Sequence, residues 1–322
     1  MLPKDPSHSW DHVRTQALDA GFIDAGIINI QAVLEPDSYY QQSVDHYETW
    51  IDKQLHGSMD YLKRGIAARR DPRVLFPNTQ SIGVFLFPYR KKPPLRNDNL
   101  KFARYLYGPD YHEFLRAKLT GLLSESGFTP DQYKICVDHS AVLERALAVS
   151  AGLGWVGKNT LFIHPKQGSY LFIAVVLWNL PSEQGENIKP DYCGSCTRCL
   201  QICPTDAFVS PRVLDAKKCI AYQTLEEKLP AKDTEPRHYS GFVAGCDLCQ
   251  EVCPFNLKPL KTPETYPEAS DAILSLSLSE LTRLGESEYK SLVKSSALSR
   301  VKFSKFVDNI TIAKQHLLSD KT

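Results

Sequence analysis

Eight of the nine cysteines in this chain fall within the 61 residues from Cys193 to Cys253. Thiolates are soft ligands that suit iron–sulfur clusters and zinc, so the spacing has to decide between them. Cys193-x2-Cys196-x2-Cys199-x3-Cys203-Pro204 is the run used where two [4Fe–4S] cubes lie side by side: three thiolates converge on one cube and the fourth reaches across to the other. A partial copy follows at Cys246-x2-Cys249-x3-Cys253-Pro254, with Val243 where its first cysteine would fall, and the isolated Cys219 can supply the missing ligand. The expected ligand sets are Cys193, Cys196, Cys199 and Cys253 for one cube, and Cys203, Cys219, Cys246 and Cys249 for the other. Two four-cysteine zinc sites would also use C-x2-C pairs, but they do not need a run ending in Cys-Pro and repeated in part. Two neighbouring cubes imply electron transfer. The ninth thiol, Cys136, stands alone and reads as a small buried hydrophobe.

Such a thiol density outside a disulfide framework implies a reducing compartment. The N-terminus, MLPKDPSHSW, shows neither a basic nor an apolar leader segment, and no apolar run approaches the length of a membrane span, so a cytoplasmic chain away from membranes is expected. A hydrophobic share of 43% and a charged share of 23% exclude wholesale disorder and fibrous classes. The balance of 38 Lys and Arg against 37 Asp and Glu excludes a strongly basic scaffold while leaving room for local patches.

The elements that must position these thiols divide the 322 residues into unequal parts. Ser9 to Ala20 has helical spacing, with Trp10, Val13, Ala17 and Leu18 on one face, and Gly21 to Ile30 resembles a short strand region. Ser81 to Pro88 (SIGVFLFP) and Tyr170 to Trp178 (YLFIAVVLW) read as central strands of one sheet. Helices are expected over Tyr111 to Ser126 and Ala141 to Ala151. Pro181 to Pro190 (PSEQGENIKP) breaks the periodicity and marks a boundary. The expected organisation is α+β: a mixed α/β domain over 1–185, a double-cluster ferredoxin-like domain over 186–260, and a short C-terminal helical segment over 261–322, after the Pro/Thr-rich KPLKTPETYPEAS. Gly152-x-Gly154-x-x-Gly157 has a dinucleotide-type spacing, but it follows a helix and precedes a strand, the reverse of the order that motif requires.

VDHSAVLERALAVSAGLGWVGKNTLFIHPKQGSYLF, then DYCGSCTRCLQICPTDAFVSPRVLDAKKCIAYQT and GCDLCQEVCPFN, with KFARYLYGPDYHEFLRAKL upstream, closely resemble the epoxyqueuosine reductase family. The resemblance implies a nitroreductase-like domain that holds cobalamin, an architecture shared with reductive dehalogenases, and two [4Fe–4S] clusters recharged by an external electron donor. It implies reduction of epoxyqueuosine to queuosine at the tRNA wobble position, the last step of queuosine biosynthesis. Asp138 matches the family's proton donor. That role calls for a raised pKa, which burial favours; the alternative is that Asp138 caps the following helix. Segments that contact cobalamin in the family contain Arg69, Ala103, Asp138, Asn159, Phe162, Ile173, Ala221, Cys246 and Asp247 here, with Arg69 and Lys158 as surface charges the alternative. Two departures stand out: His139 follows Asp138 where Ser or Thr is common, and the long helical tail of some members is reduced. A corrinoid dehalogenase acting on a small molecule, or a non-catalytic electron carrier, would carry some of the same features.

A tRNA partner should leave an electrostatic footprint. Between Leu86 and Leu119, Arg90, Lys91, Lys92, Arg96, Lys101, Arg104, Arg116 and Lys118 face Asp98, Asp110 and Glu113, with Tyr89, Phe102, Tyr105, Tyr107 and Tyr111 interleaved. In the tail, Lys290, Lys294, Arg300, Lys302, Lys305 and Lys314 face only Asp308. Both patches are candidates for anticodon-stem phosphates.

Overall fold

SIGVFLFP is buried at every position, and LFIAVVLW at every position except the half-buried Ile173. Apolar runs of this kind belong in the middle of a sheet covered on both faces. The computed structural model, which describes residues 9–89, 96, 98–228, 237–257 and 272–319, places them there. Strands run in chain order β1 (Asp24–Asn29), β2 (Ser81–Pro88), β3 (Lys101–Phe102), β4 (Tyr133–Cys136), β5 (Trp155–Val156), β6 (Phe162–Ile163), β7 (Leu171–Trp178), β8 (Phe208–Ser210), β9 (Val213–Leu214) and β10 (Phe242–Ala244). The helices that bear on the site are α1 (Trp10–Asp19), α2 (Tyr39–Asp52), α3 (Tyr111–Glu125), α4 (Glu144–Ser150), α5 (Ile220–Leu225) and α6 (Phe303–Ser319).

The main sheet has the order β1-β2-β7-β4, with every neighbouring pair antiparallel. Alternate residues of β2 and β7 face opposite ways. Phe85, Phe87, Val176 and Trp178 pack with Val13 and Ala17 of α1 and Leu115, Leu119 and Leu122 of α3. Val84, Leu86, Val175 and Leu177 pack on the other side with Tyr40 and Val44 of α2 and Leu147 of α4. The result is a helix–sheet–helix sandwich. Truncating fully buried Trp178 to Ala would cost about 3–5 kcal/mol. Cys136 lies in the second face, fully buried, and burial raises its thiol pKa.

A third core crosses the expected domain limits. Leu100, Phe102 and Leu106 pack with Val243 and Ala244 and with tail residues Ile273, Tyr289, Leu298, Phe306 and Ile310. Parallel pairing of β3 with β10 and two bonds from Asn309 Nδ2, to the carbonyls of Thr224 and Val243 at 2.9 Å each, join the three segments. The stretch from 258 to 270 lies outside the described residues.

One helix starts later than its periodicity implies. Ala141 to Leu143 form a turn and α4 begins at Glu144, with Leu143 at the N-cap and no side-chain cap bond. Asp138 therefore caps nothing.

Candidate functional site

The thiols come together because short, tightly hydrogen-bonded turns leave their side chains converging. Cys193, Cys196, Cys199 and Cys253 line one cavity of about 290 Å³, together with Lys158, Asn159, Tyr192 and Phe255. Four thiols on one cavity are a complete ligand set for an iron–sulfur cube or a four-cysteine metal site. Trp155 Nε1 donates to Cys193 Sγ at 3.4 Å, and Lys158 Nζ donates to the carbonyls of Gly194 (2.6 Å) and Cys196 (3.0 Å). Lys158 is thus committed to the thiol turn rather than left as a free surface charge. Cys246 lies within electrostatic reach of Cys219 and Cys203, and Cys249 within reach of Cys246 and Cys219. Burial raises the Cys219 thiol and pushes Cys246 up to about 12, the direction expected of thiols that ionise only when a metal replaces the proton.

Several expected cofactor contacts gather around the β3–β10 pairing. Ala103 N donates to Ala244 O at 2.9 Å, and Arg104 N donates to Asp247 Oδ2 at 2.7 Å, next to Cys246. Gly245 has φ +70°, and a Cβ there would sit 2.5 Å from the Ala103 Cβ, so the turn requires glycine. Asn159, 3% exposed, reaches the carbonyl of Cys249 at 3.4 Å. Phe162 is in the core beneath α4. Arg69 is buried: its guanidinium lies over Tyr47 at 4.8 Å and donates to Arg64 O at 2.6 Å. Ala221 is half-buried at the start of α5, where its backbone N–H bonds the Cys219 thiol and its carbonyl accepts from Thr224 Oγ1 at 3.2 Å, the hydroxyl that also accepts Gly245 N–H at 3.0 Å.

Asp138 stands where the sheet gives out. The β4–β7 ladder ends at Cys136 opposite Val175, and Ile173 lies two residues further along β7. Asp138 turns the chain with φ +57°, a left-handed conformation that Asp tolerates better than most residues. The turn is held by Glu144 Oε1, which accepts Asp138 N–H at 2.5 Å. The Asp138 side chain is 51% exposed, and its Oδ2 accepts from Tyr111 Oη at 3.0 Å and meets His112 Nε2 at 3.2 Å. His112 Nδ1 lies 2.6 Å from Asp110 Oδ1. Asp110 is also the N-cap of α3, accepting His112 N–H at 3.0 Å.

The charge states follow from these contacts. Burial favours a raised Asp138 pKa, as the donor role requires, but the hydrogen bond and charge of His112, aided by Tyr111 and Arg300, outweigh it and pull the group down to about 2. The expectation of a raised value fails because the neighbour is a cation. Burial pulls His112 down, yet its bonds to Asp110 and Asp138 prevail and lift it to about 9. Burial, with the Asp138 charge added, pushes Glu144 up to about 8. Tyr61, Tyr105, Tyr111, Glu226 and Arg300 all lie within electrostatic reach of Asp138 or of one another. Tyr111 has Tyr105 and Phe172 beside it, with ring centroids 6.1 and 4.4 Å away, so the half-exposed carboxylate has aromatic rings nearby, a setting that suits a broad planar cofactor.

The sequence reading missed Asp110, Tyr111, His112 and Glu144. The signal was present in two places: an Asp-Tyr-His opening a helix, and a carboxylate six residues beyond Asp138 at the head of the next apolar periodic run. The basic patches prove partly occupied. Arg96 pairs with Asp98 at 2.6 Å and donates to the carbonyls of Leu274 and Leu276, and Arg104 lies over Tyr170. Lys290 pairs with Glu286, and Arg300 with Glu226. Arg116, Lys294, Lys302 and Lys314 remain exposed, while Arg90, Lys91 and Lys92 lie outside the described residues.

Two family models match the chain: a 4Fe-4S double cluster binding domain over residues 192–256, and Epoxyqueuosine reductase QueG, DUF1730, over 69–139. The epoxyqueuosine reductase of Cyclobacterium marinum is 35% identical over 86% of this chain and 90% of its own length. The chain belongs to the epoxyqueuosine reductase family. The family's Escherichia coli member is 30% identical over 99% of this chain and 84% of its own. A crystal structure of epoxyqueuosine reductase with an epoxyqueuosine-modified tRNA-Tyr stem loop matches with a TM-score of 0.80 and 28% identity, over 95% of this chain and 81% of that one. The Bacillus subtilis family member, with its catalytic aspartate loop swung out of the active site, matches with a TM-score of 0.78, 26% identity and the same coverage. As a family member the chain is an oxidoreductase, and its thiol section is a double [4Fe–4S] domain. Among the described residues no helix is long and apolar enough to cross a membrane.

Proposed function

We propose that this protein reduces epoxyqueuosine to queuosine at the wobble position of tRNA, in the cytoplasm. Residues 1–185 hold cobalamin and residues 186–260 hold two [4Fe–4S] clusters, while the C-terminal segment, 261–322, packs against both through its described part, 272–319. The ligand sets are Cys193, Cys196, Cys199 and Cys253, and Cys203, Cys219, Cys246 and Cys249. Bound cobalamin would supply a strong two-electron nucleophile, and bound clusters would supply it with single electrons from an external donor. Arg69, Ala103, Asn159, Phe162, Ile173, Ala221, Cys246 and Asp247 hold and orient it, and Asp138 delivers a proton to the oxygen leaving the epoxide.

The observation that carries this reading is the Asp138 carboxylate. Its side chain is half exposed beside Tyr111 and His112, and its loop is pinned by Glu144, in a chain where four of the thiols line one cavity. An extruded wobble nucleoside is large and neutral at its epoxide, so it needs open room beside a proton source. Exposed Lys294, Lys302 and Lys314 offer phosphate contacts for the stem. Incubation with epoxyqueuosine-containing tRNA, cobalamin and a reductant should convert the wobble nucleoside to queuosine by mass spectrometry. A protein loaded with clusters and cobalamin that leaves the nucleoside unchanged refutes the reading.

A further inference from the structure

We propose that Asp110, His112 and Asp138 form a proton relay in which His112 holds the proton that Asp138 passes to the substrate oxygen. This rests on the function proposed above and deepens it. Two contacts place the groups in series, Asp110 Oδ1 to His112 Nδ1 at 2.6 Å and His112 Nε2 to Asp138 Oδ2 at 3.2 Å, and the series ends on the half-exposed Asp138 carboxylate beside Tyr111. His112 itself is 5% exposed, stacked on Tyr111 with ring centroids 3.9 Å apart, so it reaches substrate only through Asp138. It is a positioning residue.

The electrostatics agree with the geometry. At neutral pH Asp138 is ionised and carries no proton to give, whereas His112 is held protonated between two carboxylates. The groups facing His112 come from every element packed on it: Asp110 and Tyr111 at the start of α3, Asp138 and exposed His139 in the loop after β4, and Glu144 at the start of α4. Arg300, in the tail, and Tyr105 lie within electrostatic reach of Asp138. The His139 ring lies 4.1 Å from that of His112, which gives the unusual residue at this position a place beside the relay.

In each pass the Nε2–H bond of the His112 imidazolium breaks as an O–H bond forms on Asp138. That O–H then breaks as one forms on the oxygen released from the epoxide. Asp138 returns to carboxylate, and neutral His112 regains its proton from solvent. The reduction takes up two electrons from the donor and two protons, and it releases alkene and water. Two passes supply both protons, and the relay itself moves no electrons.

The test uses the full chain. In histidine-labelled protein without cobalamin, the His112 imidazole, assigned by its loss in His112→Gln, should titrate near pH 9, and Asp138→Asn and Asp110→Asn should each lower that midpoint. In loaded enzyme His112→Gln should lower kcat by roughly 100-fold with KM little changed, and Asp110→Asn should move the alkaline limb of the kcat profile to lower pH. Iron content and circular dichroism equal to wild type establish that the variants fold. A His112 midpoint unmoved by Asp138→Asn, or a His112→Gln enzyme with wild-type kcat and pH profile, overturns the relay. Because the titration needs no substrate, its failure is distinct from failure of wild-type enzyme to make queuosine.

Discussion

Asp247 is 2% exposed and accepts hydrogen bonds from Arg104 N at 2.7 Å and Gln250 Nε2 at 3.0 Å, and its burial pushes it up to about 6. Asp138 has half its side chain open, yet its hydrogen-bonded neighbour is a protonated His112, and it sits near 2. The region around Asp247 uses a carboxyl group to tie the chain after β3 to the thiol turns, whereas the loop around Asp138 leaves one half exposed, where the proposed proton delivery needs it. A partner's charge, more than depth, sets which of these a carboxylate can do.

The contrast can be broken by substitution. Asp138→Asn should lose about 10²- to 10⁴-fold in queuosine formation, measured in a tRNA nucleoside digest, while both clusters and cobalamin remain. Wild-type conversion by that variant would remove Asp138 from the chemistry. Cys219→Ala should cut iron from about eight to about four atoms per chain, the content of one cube, and unchanged iron would contradict the ligand sets. Asp247→Ala should differ from the Asp138 change by lowering stability and weakening the hold on cobalamin. Leaving the part-buried Arg104 N–H without its acceptor costs about 1 kcal/mol, read as a lowered thermal midpoint with tRNA affinity intact. A variant with wild-type Tm but lost chemistry would erase the distinction between the two aspartates.

A smaller effect concerns pH. The folded pKa of His112 lies above its ordinary 6.5, at about 9, so its pairing stabilises the fold fully below about pH 6.5 and ceases to do so as pH rises through about 9. The Tm difference between wild type and His112→Gln should shrink over that window, and a difference constant with pH would argue against the pairing. The smallest effect lies at the periphery: replacing Lys294, Lys302 and Lys314 with Ala should make tRNA binding less sensitive to salt, the log–log slope falling by about one for each phosphate no longer neutralised. An unchanged slope would place the tRNA elsewhere.

Much of the fold was legible in the sequence because its signals are local. SIGVFLFP and YLFIAVVLW announce the central strands, and the thiol spacing is a property of consecutive turns. The late start of α4 was hidden because Ala141, Val142 and Leu143 continue the helical pattern, while only the Glu144 bond to the Asp138 amide shows that the chain turns there first. The charge of Asp138 was hidden for a similar reason: it depends on His112, 26 residues earlier, reached across the end of the sheet. Arg96 and Arg104 counted toward a surface patch until their partners, Asp98 and the Tyr170 ring, became visible.

The most direct test of the central claim is mass spectrometry of the wobble nucleoside after anaerobic incubation of epoxyqueuosine-containing tRNA with the cluster-loaded protein, cobalamin and a reductant. Loss of one oxygen to give queuosine, absent when protein or cobalamin is omitted, is the predicted result. Intact epoxyqueuosine in the presence of fully loaded protein would contradict the account.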